Sequence, residues 1–168
     1  MGRRNPTVAT VTFGSFPRSG NFFLVDVLRK HASSVGVHWV GHNAHLLTKH
    51  SDSFTVIRNP LHCVPSWVVY KGDTRTDRAE RVLQWYCAYH TKCYDYGIRT
   101  FAFDDLISNP VGLISQVCDV QSYQTDYRYF CNETVDRSLF PTIVDEMREA
   151  PSFDDAVNLF EALCVPVG

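Results

Sequence analysis

Val8-Ala-Thr-Val-Thr-Phe13 runs directly into Gly14-Ser-Phe-Pro-Arg-Ser-Gly20, and Asn21-Phe-Phe-Leu-Val-Asp-Val-Leu-Arg-Lys-His31 follows. The first stretch is short, apolar and β-branched, the composition of a buried strand. The last places Phe23, Leu24, Val27 and Leu28 at helical spacing. Strand, glycine-bounded loop and helix therefore succeed one another without a gap. In α/β proteins this junction is where anions bind, because backbone N–H groups line the turn and the helix start carries partial positive charge.

The same alternation continues outward. Val37-His-Trp-Val40 and Phe54-Thr-Val-Ile57 read as a second and a third strand. Asn59-Pro60 opens a helix, with Asn as cap and Pro at the first helical position. A long amphipathic helix is expected from about Arg75 to Tyr96, with Val82, Trp85, Tyr86, Tyr89 and Cys93 on one side. Ile98–Phe103 reads as a fourth strand, Pro110 to Val117 as a helix, and Pro141 to Leu163 as two helical pieces. Strands alternating with helices imply a parallel sheet covered on both faces. The fold class is α/β: one three-layer domain over residues 1–168, of P-loop type, with a central parallel β-sheet flanked by helices. Its nucleotide-binding core is expected over about residues 8–118, and an acidic helical part over about 119–168.

Composition agrees with this class. The 168 residues are 45% hydrophobic and 20% charged, with a formal net charge of −2, which excludes a disordered chain and a nucleic-acid coat. No apolar run reaches the roughly 18 residues of a membrane span. The stretch after Met1-Gly-Arg-Arg is too short and Thr-rich for a secretory signal, so a cytoplasmic location and no membrane insertion are expected. The sequon Asn132-Glu-Thr134 is accordingly read as unmodified. The cysteines at 63, 87, 93, 118, 131 and 164 form no C-x-x-C pair and fit no zinc spacing, so reduced thiols and no metal site are expected. Charge is uneven: residues 1–110 hold 13 basic and 8 acidic side chains, whereas 111–168 hold 3 and 10. An anionic ligand belongs on the first part.

The loop itself is not a Walker A sequence. With Gly20 taken as the second Walker glycine, Asn21 stands at the lysine position and Phe22 at the position of the magnesium-binding hydroxyl. The third strand ends in Arg58 where a magnesium NTPase has an aspartate. Arg18 supplies a fixed charge and Gly20 allows close backbone approach. The pattern suits a phosphate held without a metal.

Ser15-Phe-Pro-Arg-Ser-Gly-Asn21 resembles the 5′-phosphosulfate loop of sulfotransferases that use PAPS, 3′-phosphoadenosine-5′-phosphosulfate. Val56-Ile-Arg-Asn-Pro-Leu-His-Cys-Val-Pro-Ser66 resembles that family's strand–Arg–Asn/Asp–Pro–helix element, and Phe101-Ala-Phe-Asp-Asp-Leu-Ile-Ser-Asn-Pro110 its later Tyr-Glu-Asp-Leu segment. The three occur in family order over residues 8–118. The resemblance implies that Pro17, Arg18, Ser19, Gly20, Asn21, Phe22 and Phe23 bind the 5′ side of PAPS. It further implies that Arg58 and Ser66, eight residues apart, bind the 3′-phosphate, and that Phe103 lies near the base. PAP is then the product. A His after the second strand serves as general base in the family, and Val40-Gly-His-Asn-Ala-His45 occupies that interval, making His42 the first choice and His45 the second.

The departures are specific. Phe22 replaces a frequent Thr, Phe23 a frequent Trp on which adenine stacks, and Phe103 the usual Tyr. Pro65 sits inside the helix that presents Ser66 and is expected to alter it. No late Arg-Lys-Gly element, which completes the 3′-phosphate site in many relatives, is found. Asp104 and Asp105 read as helix-start residues ahead of Leu106 rather than as catalysts. The expected function is sulfuryl transfer from PAPS to a hydroxyl or amine, with Arg18 stabilising the leaving phosphate. A P-loop nucleotide or polynucleotide kinase and a degenerate, non-catalytic nucleotide-binding module are the alternatives. The acceptor's class (small alcohol, glycan, lipid headgroup or protein side chain) and the oligomeric state stay open.

Overall fold

Thr10–Ser15 forms β1, whose last five residues are all buried, as befits a strand covered on both faces. The computed structural model describes residues 10–32, 35–120 and 135–164. Within them α1 spans Asn21–His31, β2 Gly36–Trp39, α2 Ala44–Leu47, β3 Phe54–Ile57 and α3 Pro60–Lys71. α4 follows at Arg78–Asp95, β4 at Arg99–Ala102, α5 at Phe103–Ser108 and α6 at Pro110–Ile114. A 3-10 turn at Arg137–Leu139 leads into α7, Phe140–Arg148, and then α8, Phe153–Cys164.

The strands make one parallel sheet in the order β2-β1-β3-β4. Register follows from Thr10 opposite Gly36, Phe13 opposite Phe54 and Phe54 opposite Arg99. Side-chain alternation sends Val11, Phe13, Phe54 and Val56 to one face, where they pack with Leu24, Val27 and Leu28 of α1 and Leu106 and Leu113 of α5 and α6. Ile57 faces the other way, into a larger core built on Val64, Leu83, Tyr86, Ile143 and Met147 from α3, α4 and α7. On that side Thr55 Oγ1 meets Tyr89 Oη of α4 at 3.1 Å. The chain is therefore a single α/β domain whose parallel sheet is flanked by helices.

Local chemistry explains the boundaries. Asn59 Oδ1 accepts from Leu61 N at 2.9 Å and Pro60 takes the first helical position, so α3 starts as its sequence indicates. It ends at Gly72, which adopts the left-handed φ of 60°. α4 begins at Arg78 rather than Arg75, because Arg75 is spent in the preceding turn on Asp73. β4 stops at Ala102, and Phe103 opens α5 with Asp104 and Asp105 in its first turn, where their charge suits the helix dipole. α6 stops at Ile114, short of the expected Val117. α2 was not evident in the pattern; its start is capped by Asn43, whose Oδ1 accepts from His45 N.

Pro65 lies inside α3 without dividing it. Cys63, Cys87, Cys93, Cys118 and Cys164 are free thiols; Cys131 and the Asn132 sequon fall outside the described residues. Among the described residues no helix is long and apolar enough to cross a membrane.

The order of the strands creates the site. From β1 the chain turns into α1 on one face of the sheet, and from β3 into α3 on the other. A crevice opens where neighbouring strands send their helices to opposite sides. The loop after β1 and the Arg58-Asn59 corner after β3 form its walls.

Candidate functional site

The loop after β1 is anchored by Phe16, which is fully buried and packs edge-on to Trp85 and Tyr86 with ring centroids 5.0 and 5.2 Å away. Beyond it the backbone turns left-handed twice, at Arg18 (φ 64°) and Gly20 (φ 84°). Gly20 is required on two grounds: its φ, and the ring of Phe103, which a Cβ there would approach to 2.3 Å. Arg18 holds the same unfavourable region with a side chain, a strain of about 1–3 kcal/mol that surrounding bonds must sustain. Gly20 caps α1 without a side-chain acceptor, so the first N–H groups of the helix are left to face an incoming anion.

Those sustaining bonds come from β3 and α3. Arg58 Nη1 donates to the Arg18 carbonyl at 2.8 Å, and Arg18 Nε donates to Ser66 Oγ at 2.9 Å. The Arg58 guanidinium lies over the Phe103 ring, 4.4 Å from its centroid, and the Arg18 guanidinium over Tyr70 at 5.2 Å. Tyr86 Oη donates to the Arg58 carbonyl at 3.0 Å, fixing that corner from the core. Ser15 Oγ and Asn21 Oδ1 are also hydrogen-bonded, which ties the end of β1 to the start of α1.

His42 sits on the same crevice. Its Nδ1 is 2.6 Å from the Ser15 carbonyl oxygen. A carbonyl only accepts, so Nδ1 carries the hydrogen, and the neutral ring presents Nε2 as a bare acceptor. Burial lowers its pKa from the ordinary histidine value; the Ser15 bond pulls the other way and the charge of Lys71 adds to the lowering. Neutral imidazole is the form at pH 7. Trp39, Trp67 and Trp85 surround the ring, with centroids 5.7, 6.1 and 6.2 Å away.

Together these walls enclose a cleft of about 650 Å³. Of the residues singled out in the sequence, Pro17, Arg18, Gly20, Asn21, Phe22, Phe23, His42, Arg58, Ser66 and Phe103 all line it. Ser19 does not; it is fully buried, and its Oγ has no hydrogen-bond partner among the described residues. His45 does not either: its side chain is exposed on α2, away from the cleft lining. Phe23, expected to stack on a base, is nearly all buried in the core beneath α1. The ring available at the mouth is Phe22, 63% exposed and facing Trp39 at 6.4 Å.

Several lining residues stand outside the sequence motifs. Lys71 follows Trp67 on α3 by four residues, a spacing that keeps both on the cleft side and a helical signal present in the sequence. Arg137 and Phe140 arrive from the acidic C-terminal part, which had been assigned no ligand contact and carries no motif there. Among the described residues the lining thus holds four cations, Arg18, Arg58, Lys71 and Arg137, and no carboxylate. Among the described residues no group of three His, Cys, Asp or Glu side chains stands close enough to hold a metal ion. No protein-family model matches the chain, and no curated protein matches its sequence.

Proposed function

We propose that this cleft is the active site of a P-loop-type sulfotransferase that takes its sulfuryl group from PAPS. One observation carries the reading: a loop shaped for phosphate and a histidine with an unprotonated Nε2 share one crevice, linked through Ser15, whose carbonyl holds the His42 ring. The residues present fit such a donor. Four cations without a lining carboxylate among the described residues suit a ligand with several phosphate charges.

The chain's own groups divide the work. The helix start at Asn21 and the Arg18 guanidinium hold the 5′ end, with Arg18 facing the charge that grows on the leaving phosphate. Arg58, Ser66, Lys71 and Arg137 stand ready for the second phosphate. Arg137 supplies from the C-terminal part a charge that the missing Arg-Lys-Gly element would otherwise give. When bound, PAPS supplies a sulfuryl group on a phosphate leaving group. His42 Nε2 takes the proton of the acceptor hydroxyl as that oxygen bonds to sulfur and the sulfur–phosphate oxygen bond breaks. The surrounding indoles limit water near the transfer.

A kinase reading keeps the loop but has Asn21 and Phe22 at the lysine and hydroxyl positions. Thermal shift separates the two. PAP is expected to raise the melting temperature without added metal, with EDTA leaving that rise intact and ATP giving less. A larger, Mg²⁺-dependent rise with ATP would replace the sulfotransferase by the kinase. His42→Ala is expected to leave PAP affinity nearly unchanged and to cut transfer by about 10²–10⁴; full activity in that variant would remove His42 as the base.

A further inference from the structure

His38 and His50 meet outside the cleft. Their ring centroids stand 5.1 Å apart with planes inclined at 76°, so the rings are not stacked face to face. Two separate elements bring them together. Val37 packs with the core beneath α1, so the alternation of β2 turns His38 to the opposite side of the sheet. His50 reaches the same place from the turn that follows α2. Neither lines the cleft.

Both rings stand on fixed backbone. His38 lies opposite Thr12 of β1, which is buried. His50 N donates to the Leu47 carbonyl at 3.1 Å, and Ser53 Oγ donates to the same oxygen at 2.8 Å. Leu47 itself is fully buried. The imidazoles, by contrast, belong to residues that reach solvent. Among the described residues no carboxylate forms an ion pair with either ring.

The spacing is that of two ligands on one metal ion. An imidazole nitrogen binds Zn²⁺ at about 2.0–2.1 Å, which puts the ion about 3.2 Å from the ring centre. A tetrahedral angle at the metal then sets two such centres about 5.2 Å apart. Neutral imidazole suits Zn²⁺, Ni²⁺ and Cu²⁺, whereas Mg²⁺ and Ca²⁺ take oxygen ligands. We infer that His38 and His50 form a site for a divalent transition-metal ion. No third His, Cys, Asp or Glu joins them among the described residues, so the other positions on the ion are left to water. The cysteine spacing excluded a zinc site of thiols; this pair is assembled by folding, and no spacing in the sequence marks it. The ion closes residues 38–50 into a ring. That ring contains His42 and the Gly41 carbonyl, which accepts from Ser15 N at 3.2 Å. Metal thus braces the segment that carries His42 without entering the cleft, whatever the cleft binds.

Calorimetry on the full chain, free of any histidine tag, tests the site with Zn²⁺ and Mg²⁺ as probes. Zn²⁺ is expected to bind and Mg²⁺ is not. His38→Gln and His50→Gln should each weaken Zn²⁺ about tenfold or more, since losing even a ligand's hydrogen-bond partner costs that much. His45→Gln, on the exposed side of α2, should leave it unchanged. All three are surface changes, and equal melting temperatures without metal will show that each variant folds. Hydrogen exchange supplies the second readout: Zn²⁺ should slow exchange of the amides within residues 38–50 in the parent and in neither pair variant. No Zn²⁺ binding, equal binding of Mg²⁺, or indifference to both pair substitutions would overturn the site. Pair-dependent binding with unchanged exchange would keep the site and overturn the brace. PAP binding is read separately, so failure of the sulfotransferase reading would leave either result standing.

Discussion

His90 gives the sharpest quantitative test of how the loop is supported. It lies in α4, fully buried, with ring centroids 4.5 Å from Tyr86, 5.0 Å from Tyr89 and 6.2 Å from Phe16, the anchor of the loop after β1. Neither ring nitrogen has a hydrogen-bond partner among the described residues. Burial pushes its pKa down from 6.5 to about 3. In the unfolded chain the ring takes a proton below about 6.5, whereas the folded chain refuses it until about pH 3. Stability is therefore fully present above 6.5 and drains away as the pH falls through that window. Between pH 7 and pH 5 the loss from this one residue amounts to about 2 kcal/mol.

The perturbation is His90→Leu, which keeps an apolar side chain of similar bulk among the three aromatic rings. At pH 7 it removes two unpartnered nitrogens, each worth about 1–3 kcal/mol when left unmade, at the expense of some ring contacts. The variant is expected to be at least as stable as the parent at pH 7. Urea unfolding of both proteins at pH 7 and pH 5 measures the difference. The parent should lose about 2 kcal/mol more than the variant on acidification, because other titrating groups are common to both. Equal losses in parent and variant would refute the claim that His90 is held neutral by its surroundings.

Three further outcomes are expected. Arg58→Ala should weaken PAP about ten- to a hundredfold. It should weaken AMP by less but measurably, since Arg58 also braces the Arg18 carbonyl; titration of both ligands decides, and equal loss would mean Arg58 does not read the 3′ position. Gly20→Ala should cost about 2–4 kcal/mol from its positive φ and the Phe103 contact together. Adding Phe103→Leu should return only the packing share, as chemical denaturation of both variants will show. Sulfuryl transfer should fall on the acid side with a midpoint below 6.5, since His42 is active when neutral and burial lowers its pKa; a pH–rate profile with its acid limb above that value would contradict the assignment.

The chain punctuates itself clearly where a cap or a glycine settles a boundary. Asn59-Pro60 begins α3 and Gly72 closes it, and the run Asn21–His31 is a helix from end to end. Elements set by tertiary partners were harder to read. Arg75 fits the periodicity of α4, although its charge is tied to Asp73 in the turn. Phe103 was placed in a strand, although its ring lies against Gly20 and Arg58 from the first turn of α5. Arg18, Gly20 and Asn21 were legible because one short stretch of sequence holds the loop, whereas His42 was picked out only by its place after the second strand. His45 has the same chemistry three residues on, and only the turn of α2 sends it outward. Arg137 was illegible, for it reaches the cleft from far along the chain with no local pattern to mark it.

The bonds from Arg58 to the Arg18 carbonyl and from Arg18 to Ser66 give the loop its shape. The left-handed backbone at Arg18 is thus held by the protein itself, and an arriving anion need not order the loop as it docks. It must instead compete for Arg18 Nε, which already has a hydroxyl to bond. Every departure restores that internal bond. Association is in this way spared an ordering step, and each release is helped by a partner waiting inside the protein. Under the proposed function, such an arrangement suits a site that has to let go of a highly charged product as often as it takes up the donor.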